Sequence, residues 1–265
     1  MDTAQSGTQT YQDNRQVYVR SSVVASYANA PLQNAEAIIF IKYRDFIWEK
    51  SVLDIGCGAG RTAAALMRCS ETYLGIDYSP EMVSACRSRY PEGDFREGDV
   101  RAMPELGAES FDFVLVAYNG LDYMDHGERL LALGEIRRVL RPAGLFVFSS
   151  HNRDYQHALK PIQKRIPRNP LRWAPAIAQG LTSLRNRRQK RGHQRFESNY
   201  ALINDPAHDY LLLTYYISPE EQRRQLHAAG FDLLEMYDPH GTNTTPEVLG
   251  VSAPWIYFVA RKVPE

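Results

Sequence analysis

Three glycines at alternate positions follow an apolar run near residue 51. The run Val52–Ile55 leads into Gly56, Gly58 and Gly60, and an amphipathic stretch comes after them. Glycine has no side chain, so its backbone can approach a ligand closely and can adopt φ values that other residues avoid. The pattern predicts a strand, a turn that faces a ligand, and a helix. The alternative is a tight strand-to-helix turn with only a structural role.

Two acids occur where the next two candidate strands end. Asp77 lies 17 residues after Gly60, and a carboxylate there can accept both hydroxyls of a ribose. Asp99 follows the third strand, where its carboxylate and the N–H of Val100 can read the amine and a ring nitrogen of an adenine. A lone Asp is more often a helix cap or a solvated turn residue. Acids at consecutive strand ends beside a glycine turn indicate a nucleotide site.

A dinucleotide site is the main alternative for this turn. That site needs glycines in the pattern GxGxxG, which requires glycine at position 61, and this chain has Arg61 there. Asp77 does not discriminate between the two classes of nucleotide. The second acid, Asp99, favours a methyl donor over NAD.

Short apolar runs and amphipathic stretches alternate from residue 51 onward, which is typical of βαβ units around a parallel sheet. We expect helices at Arg61–Arg68, Pro80–Tyr90 and Glu128–Leu140, with Ser79 and Ser218 as N-caps of helices. The expected strands are Ser51–Ile55, Thr72–Ile76, Asp94–Arg96, Phe111–Ala117, Leu145–Ser149, and a C-terminal pair, Phe231–Met236 and Trp255–Ala260, that could form a hairpin.

The segment from Ser51 to about Asn152 resembles the class I S-adenosylmethionine-dependent methyltransferases. The resemblance implies a Rossmann-like α/β fold: a mostly parallel sheet with a C-terminal antiparallel hairpin, flanked by helices and carrying an inserted cap segment. It implies S-adenosylmethionine as the cofactor, with its methionine portion at the glycine turn, its ribose at Asp77 and its adenine at Asp99. The residues that the resemblance assigns to the cofactor are Asp54, Gly56, Cys57, Gly58, Gly60, Asp77, Tyr78, Met82, Asp99, Val100, Ala117 and Tyr118.

Candidate catalytic residues follow the fourth and fifth strands, because open α/β sheets bind ligands at the carboxyl ends of their strands. They are Tyr118, Asn119 and His151. His151 could be a general base or could position an acceptor, although a loop histidine bonded to backbone is an equally good interpretation. Methyl transfer from a sulfonium needs alignment and exclusion of water more than a metal or a nucleophile. If the acceptor is a lysine, an aromatic pocket could promote loss of its proton, and the candidates are Tyr118, Tyr123, Tyr215 and Tyr216.

We expect four regions in the chain. Residues 1–50 form an N-terminal helical or lid segment, in which Tyr11, Tyr18 or Tyr27 could cover the cofactor. Residues 51–150 form the cofactor-binding core, and residues 151–217 form a basic insertion that caps the acceptor. Residues 218–265 complete the sheet.

Charge is balanced over the chain, with 31 basic and 31 acidic residues, so composition gives no reason to expect a membrane or nucleic-acid partner. Locally, residues 156–196 carry eleven Lys or Arg and no acid. We expect no metal site and no membrane span, and three cysteines without metal or disulfide spacing suggest a reducing, cytoplasmic location.

Three functions remain open at this point. The first is an enzyme that methylates an N or O atom of a small metabolite. The second methylates a protein lysine or RNA and docks an acidic protein or RNA through residues 156–196. The third is a cofactor-binding module without transfer activity, against which the intact motif residues argue.

Overall fold

A computed structural model describes residues 30–155, 173–243 and 252–264, together with positions 24, 28 and 245. One sheet contains all ten strands of this described part. Its first strands run in the order β3-β2-β1-β4-β5, and each neighbouring pair in that order is parallel. The strands are β1 (Ser51–Ile55), β2 (Thr72–Asp77), β3 (Asp94–Glu97), β4 (Phe111–Val116), β5 (Leu140–Asn152), β6 (Arg195–Phe196), β7 (Tyr200–Ile203), β8 (Thr214–Ile217), β9 (Phe231–Tyr237) and β10 (Trp255–Lys262).

Helices connect these strands and begin where the sequence supplies caps. The Ser79 hydroxyl accepts the N–H of Met82, and the Ser218 hydroxyl accepts the N–H of Glu221, as predicted for both serines. Asp125 and Glu128 form a reciprocal capping box at the start of a third helix. The helices are α1 (Asn34–Lys42), α2 (Arg44–Ile47), α3 (Ala63–Met67), α4 (Pro80–Arg89), α5 (His126–Val139), α6 (Trp173–Lys190) and α7 (Pro219–Ala228).

The central strands are apolar on both faces, as expected for a sheet that helices cover on both sides. Leu53 belongs to a buried cluster that includes Leu133 of α5. Its neighbour Val52 belongs to another cluster that includes Ile39 of α1. Because successive side chains of a strand point to opposite faces, α5 and α1 cover opposite faces of the sheet.

The fifth strand is longer than predicted. We expected it to begin at Leu145 after a turn, but Leu140 already pairs with Phe111 of β4. Leu145 then pairs with Phe113, so the register shifts between the two pairs, and Ala143 adopts a φ of 60°. The Pro and Gly of this stretch therefore form a bulge within β5 rather than a turn before it.

The predicted C-terminal hairpin is confirmed, because β9 and β10 pair in antiparallel fashion and β10 continues along β5 from Leu145 to His151. The sheet also branches at the end of β5. There His151 and Asn152 pair with Tyr216 and Ile217 of β8, and β7 and β6 follow β8. Part of the predicted cap is therefore an extension of the sheet.

Two expectations concern residues that lie outside the described part. The lid tyrosines Tyr11, Tyr18 and Tyr27 are among them, and so are residues 156–172 of the basic segment. The boundaries of the four regions stay predictions. Within the described chain, no helix combines the length and the apolar character needed to cross a membrane.

Candidate functional site

A cleft opens where β1, β2, β3 and β4 end, at the carboxyl edge of the parallel sheet. It contains about 1100 Å³ of space not filled by protein atoms, including open solvent at its mouth. Ten of the twelve predicted cofactor residues line it: Gly56, Cys57, Gly58, Asp77, Tyr78, Met82, Asp99, Val100, Ala117 and Tyr118.

The glycine turn forms the floor of this cleft. Gly56 and Gly58 have φ values of 65° and 56°, in the left-handed region where a side chain is disfavoured. A Cβ atom on Gly56 would meet no other heavy atom within 4 Å, so this backbone faces open space. The turn can therefore receive a ligand in direct contact with its backbone.

Asp77 lies at the end of β2 and holds the turn in place. One carboxylate oxygen accepts the N–H of Gly58 at 2.9 Å, and the other accepts the N–H of Ser79 at 2.9 Å. Burial raises the pKa of this carboxyl to about 6. Each oxygen keeps lone pairs for a further donor, so Asp77 can accept two adjacent hydroxyls from the cleft.

Asp99 follows β3 and is held by the next arginine in the chain. Nε of Arg101 lies 3.0 Å from Oδ1 of Asp99, and Nη2 lies 2.6 Å from Oδ2. The backbone N–H of Arg101 donates to Oδ1 at 2.9 Å, and its guanidinium also contacts Glu128. The acid is therefore fixed at the cleft by a cation that sequence reasoning did not consider.

Two predicted cofactor residues do not line the cleft. Asp54 is buried beneath the turn, where one oxygen accepts the hydroxyls of Thr62 at 2.5 Å and Tyr73 at 3.0 Å. Its other oxygen, Oδ1, has no hydrogen-bond partner among the described residues, and burial raises its pKa to about 6. Gly60 is a packing position, because a Cβ atom there would lie 2.8 Å from the ring of Tyr90.

Tyr118 and Asn119 lie at the tip of β4 with unusual backbone conformations. Their φ values are 56° and 60°, and left-handed conformations cost non-glycine residues about 1–3 kcal/mol each. The N–H of Asn119 donates to the Ser149 hydroxyl at 2.7 Å, which helps hold this strained tip. In this conformation Tyr118 lines the cleft. The centroid of its ring lies 5.0 Å from the guanidinium carbon of Arg61.

His151 lies beyond the cleft, at the end of β5, and a buried carboxylate holds it. Oδ2 of Asp122 accepts the backbone N–H of His151 and lies 2.7 Å from its Nδ1. Oδ1 of Asp122 accepts Nη1 of Arg129 at 2.8 Å and the Ser150 hydroxyl at 2.6 Å. Nε2 of His151 lies 3.4 Å from Nδ2 of Asn119. The structure thus brings together two of the three predicted catalytic residues.

The four tyrosines that were candidates for one pocket are divided among three places. Tyr118 and Tyr123 line the cleft. Tyr216 packs against His151, with ring centroids 5.0 Å apart, while Tyr215 stacks on Tyr200 in the interior. Burial raises the pKa of Tyr215 to about 12. The prediction of a single aromatic pocket for a lysine is therefore wrong for Tyr215 and Tyr216, neither of which lines the cleft.

The N-terminal helix α1 reaches the cleft through an ion pair. Nη1 and Nη2 of Arg61 both contact the carboxylate of Glu36, which is fully buried. The hydroxyl of Tyr257 donates to the same carboxylate at 2.9 Å. Arg61 occupies the position where a dinucleotide turn would have its third glycine. Its side chain fills that space and ties α1 to the cleft wall.

Comparison with known proteins agrees with this geometry. Residues 52–144 match a family model described as a methyltransferase domain. These residues therefore form a domain of the class I S-adenosylmethionine-dependent methyltransferases. A demethylmenaquinone methyltransferase of Chlorobaculum parvum is 30% identical over 124 residues, 46% of this chain and 44% of that protein. A ubiquinone biosynthesis O-methyltransferase of Paracidovorax citrulli is 28% identical over 183 residues, 62% and 75% of the two chains.

The methyltransferase fold extends over the described chain. A crystal structure of an S-adenosylmethionine-dependent methyltransferase from Clostridium acetobutylicum superposes with a TM-score of 0.62 at 12% identity, and covers 96% of this chain and 99% of that one. Several curated relatives match over only about two fifths of their own length. The predicted fold class is confirmed.

The residues present fit S-adenosylmethionine, the cofactor of this methyltransferase family. At Gly56 no side chain stands between the backbone and the open space of the cleft, so a ligand can contact the backbone directly. Asp77 presents two carboxylate oxygens that can each accept a further hydrogen bond. Beneath the glycine turn, Oδ1 of Asp54 is a buried acceptor with no hydrogen-bond partner among the described residues. No cluster of three or more metal-ligating side chains occurs within the described residues.

Besides Arg101, sequence reasoning missed three residues around this site: Glu36, Asp122 and Arg129. All three are charged and fully buried. Glu36 and Arg129 lie on helices where the pattern indicates an ordinary solvated face. Asp122 does follow a strand, in the stretch Asn119–Tyr123, and its position after β4 was the only available signal.

Proposed function

We propose that this protein transfers a methyl group from S-adenosylmethionine to an oxygen or nitrogen atom of a small metabolite. The observation that carries the proposal is the cleft at four adjacent strand ends, with an open glycine turn and a ribose-type acceptor at Asp77. The family match of residues 52–144 supports the same activity. The name of the Paracidovorax relative supports oxygen as one acceptor atom.

The cofactor residues would share the work as follows. Asp77 would accept the ribose hydroxyls, and Asp99 with Val100 would bind the adenine between Arg101 and Met82. The backbone of Gly56 and Gly58 would contact the methionine portion, with Asp54 acting from below the turn. When bound, S-adenosylmethionine supplies a methyl group on a sulfonium, a good leaving group.

His151 would remove the acceptor proton. With its proton on Nδ1 and shared with Asp122, His151 would accept the amide N–H of Asn119 at Nε2. A hydroxyl or an ammonium group of the acceptor would take the place of that amide as the donor to Nε2. As the acceptor atom bonds to the methyl carbon, its proton would pass to Nε2. Tyr118, at the edge of the cleft, would help to align the acceptor and to exclude water.

A labelling experiment tests this function. The purified protein is mixed with methyl-labelled S-adenosylmethionine and cell extract, and label is measured in the small-molecule and macromolecular fractions, with Asp77→Ala as the inactive control. Label in the small-molecule fraction supports the proposal. Label confined to protein or RNA would favour the second function, and no incorporation would favour a binding module.

The reaction would take place in the cytoplasm. All three cysteines, Cys57, Cys69 and Cys86, are free thiols, and two of them are buried. Cys86 donates to the carbonyl of Gly58 at 3.0 Å, so it supports the glycine turn as a thiol. A reducing compartment keeps it in that form.

A further inference from the structure

Helix α6, Trp173–Lys190, rests on the body of the protein along one polar side. Nε2 of Gln179 and the hydroxyl of Ser183 each donate to the carboxylate of Asp209, at 3.1 Å. The side-chain amide of Asn186 donates to the carbonyl of Asp209 at 2.9 Å. Residues 179, 183 and 186 therefore define the attached side of α6, where their side chains bind Asp209 through hydrogen bonds.

The opposite side of α6 carries large apolar residues in solvent. Ile177 and Leu181 are each 63% exposed, and Leu184 is 59% exposed. Spacings of four and three residues place them on one face of a helix, and Trp173, four residues before Ile177, continues that face. An 18-residue helix is about 27 Å long, so this apolar stripe extends over roughly half of it.

Cations flank the apolar stripe. Arg185 and Arg188 each lie four residues after a member of the stripe, Leu181 and Leu184, and both are exposed. No Asp or Glu occurs from residue 156 to 196, so the segment contains no acid to neutralise them. The surface therefore combines aliphatic side chains with an uncompensated positive charge.

This combination discriminates among possible occupants. RNA phosphates would pair with the cations but would leave the Ile and Leu side chains exposed to water. A second copy of α6 would bury the aliphatic residues but would bring like charges together. An anionic bilayer surface accepts both, because aliphatic side chains enter the acyl boundary while Arg and Lys pair with headgroup phosphates.

We propose that the surface formed by Ile177, Leu181, Leu184, Arg185 and Arg188 docks on anionic lipid bilayers. The helix lies in the headgroup plane and does not cross the membrane. Balanced net charge gave no sign of such a contact, since the eleven cations of residues 156–196 are offset by acids elsewhere in the chain. The docking surface does not depend on the methyl acceptor.

Sedimentation with vesicles tests the proposal. The full chain is mixed with vesicles of phosphatidylcholine alone, or of phosphatidylcholine with 30% phosphatidylglycerol as a roughly physiological anionic content. We expect binding to the anionic vesicles, weakened at least about ten-fold in the triple variant I177Q/L181Q/L184Q. The variant R185Q/R188Q should lose about five-fold per cation removed.

A matched control replaces three exposed apolar residues elsewhere, I41Q/L130Q/L131Q, and should bind vesicles as the unmodified chain does. All variants should keep the circular dichroism spectrum and the affinity for S-adenosylhomocysteine, because none of these residues lines the cleft. Failure to bind anionic vesicles would overturn the proposal. The proposal would also be overturned if the protein bound polyuridylate as well as it binds anionic vesicles and if I177Q/L181Q/L184Q left both affinities unchanged. That result would indicate a general site for polyanions.

Discussion

Nδ1 of His151 and the backbone N–H of the same residue both meet one oxygen of Asp122, each at 2.7 Å. The second oxygen of that carboxylate meets the buried guanidinium of Arg129. Asp122 therefore bridges His151 and Arg129, and a carboxylate oxygen beside Nδ1 favours the imidazole tautomer that carries its proton on Nδ1. In the proposed reaction, this pairing would orient His151 so that Nε2 accepts the proton of the methyl acceptor.

Replacement of Asp122 by Asn should redirect the imidazole. The Asn amide can donate to Nδ1, which moves the proton to Nε2 and removes the acceptor there. We expect methyl transfer to fall at least about a hundred-fold with little change in cofactor affinity. Nitrogen chemical shifts of the His151 ring report the tautomer directly.

Because Asp122→Asn also leaves the charge of Arg129 uncompensated, a second variant is needed. His151→Gln leaves the pair of Asp122 and Arg129 intact and should lose a similar share of activity while melting near the unmodified protein. Full activity in His151→Gln would show that the acceptor needs no base from this residue.

Asp77→Ala should weaken binding of S-adenosylhomocysteine by roughly 1–3 kcal/mol. The substitution removes the acceptor for ribose hydroxyls and leaves the N–H groups of Gly58 and Ser79 without their partner. Titration calorimetry measures the loss. Asp94→Ala is the matched control, since Asp94 pairs with Arg96 on the surface and should leave affinity unchanged.

Cofactor affinity should depend on pH through the same residue. Burial raises the pKa of Asp77 to about 6 in the free protein, and hydroxyl donors stabilise the charged form. Below pH 6 the carboxyl must lose a proton to bind, so affinity should fall, approaching about ten-fold per pH unit, and binding should release a proton. Above pH 7 the dependence should vanish.

The other buried acid near the turn titrates in the same range, because the pKa of Asp54 is also raised to about 6 by burial. Two variants separate them. Asp77→Asn should flatten the pH profile of affinity between 5 and 7, whereas Asp54→Asn should preserve it. A profile that stays steep in Asp77→Asn would transfer the effect to Asp54.

Asp99→Asn should weaken cofactor binding without unfolding the chain. The amide replaces one acceptor by a donor, which opposes the exocyclic amine of an adenine, and it also loosens Arg101. Arg101→Gln separates these effects, because it removes the cation and keeps the carboxylate. Calorimetry should show a larger loss for Asp99→Asn than for Arg101→Gln; equal losses would assign the effect to the ion pair.

Breaking the pair of Glu36 and Arg61 should destabilise the fold. Glu36→Ala leaves a buried guanidinium and the hydroxyl of Tyr257 without their acceptor, and the expected cost is about 3–5 kcal/mol in urea unfolding. The double variant with Arg61→Ala should lose less than the sum of the single variants. At the exposed pair of Arg44 and Asp45, substitution should change stability by less than about 1 kcal/mol.

The sequence was sufficient for the core because its elements are short-range patterns. The caps at Ser79 and Ser218, and the glycine turn after β1, depend on residues within a few positions of one another. The parallel sheet then brings Asp77 and Asp99 to one edge, since both follow strands of the same direction. Ten predicted cofactor residues reach the cleft for that reason.

The remaining features depend on distant partners and were not predictable in this way. Glu36 and Arg61 are 25 residues apart, and Asp122 and His151 are 29 apart. Nothing in the local pattern of Arg129 distinguishes it from a solvated helix residue. The predicted start of β5 at Leu145 was wrong because Pro142 and Gly144 are residue types that usually mark a turn. Pairing of Leu140 with Phe111 overrides that preference.

The branch of the sheet at the end of β5 has a consequence for how such proteins diversify. In the part of the chain that the structure describes, β8 joins β5 at its end, where His151 and Asn152 pair with Tyr216 and Ile217, and β7 and β6 follow β8. This extension lies at the opposite end of the strand order from β2 and β3, which carry Asp77 and lead to Asp99. Sequence changes in β6, β7 and β8 can therefore alter the surroundings of His151 while the strands at the cofactor end of the sheet keep their pairing.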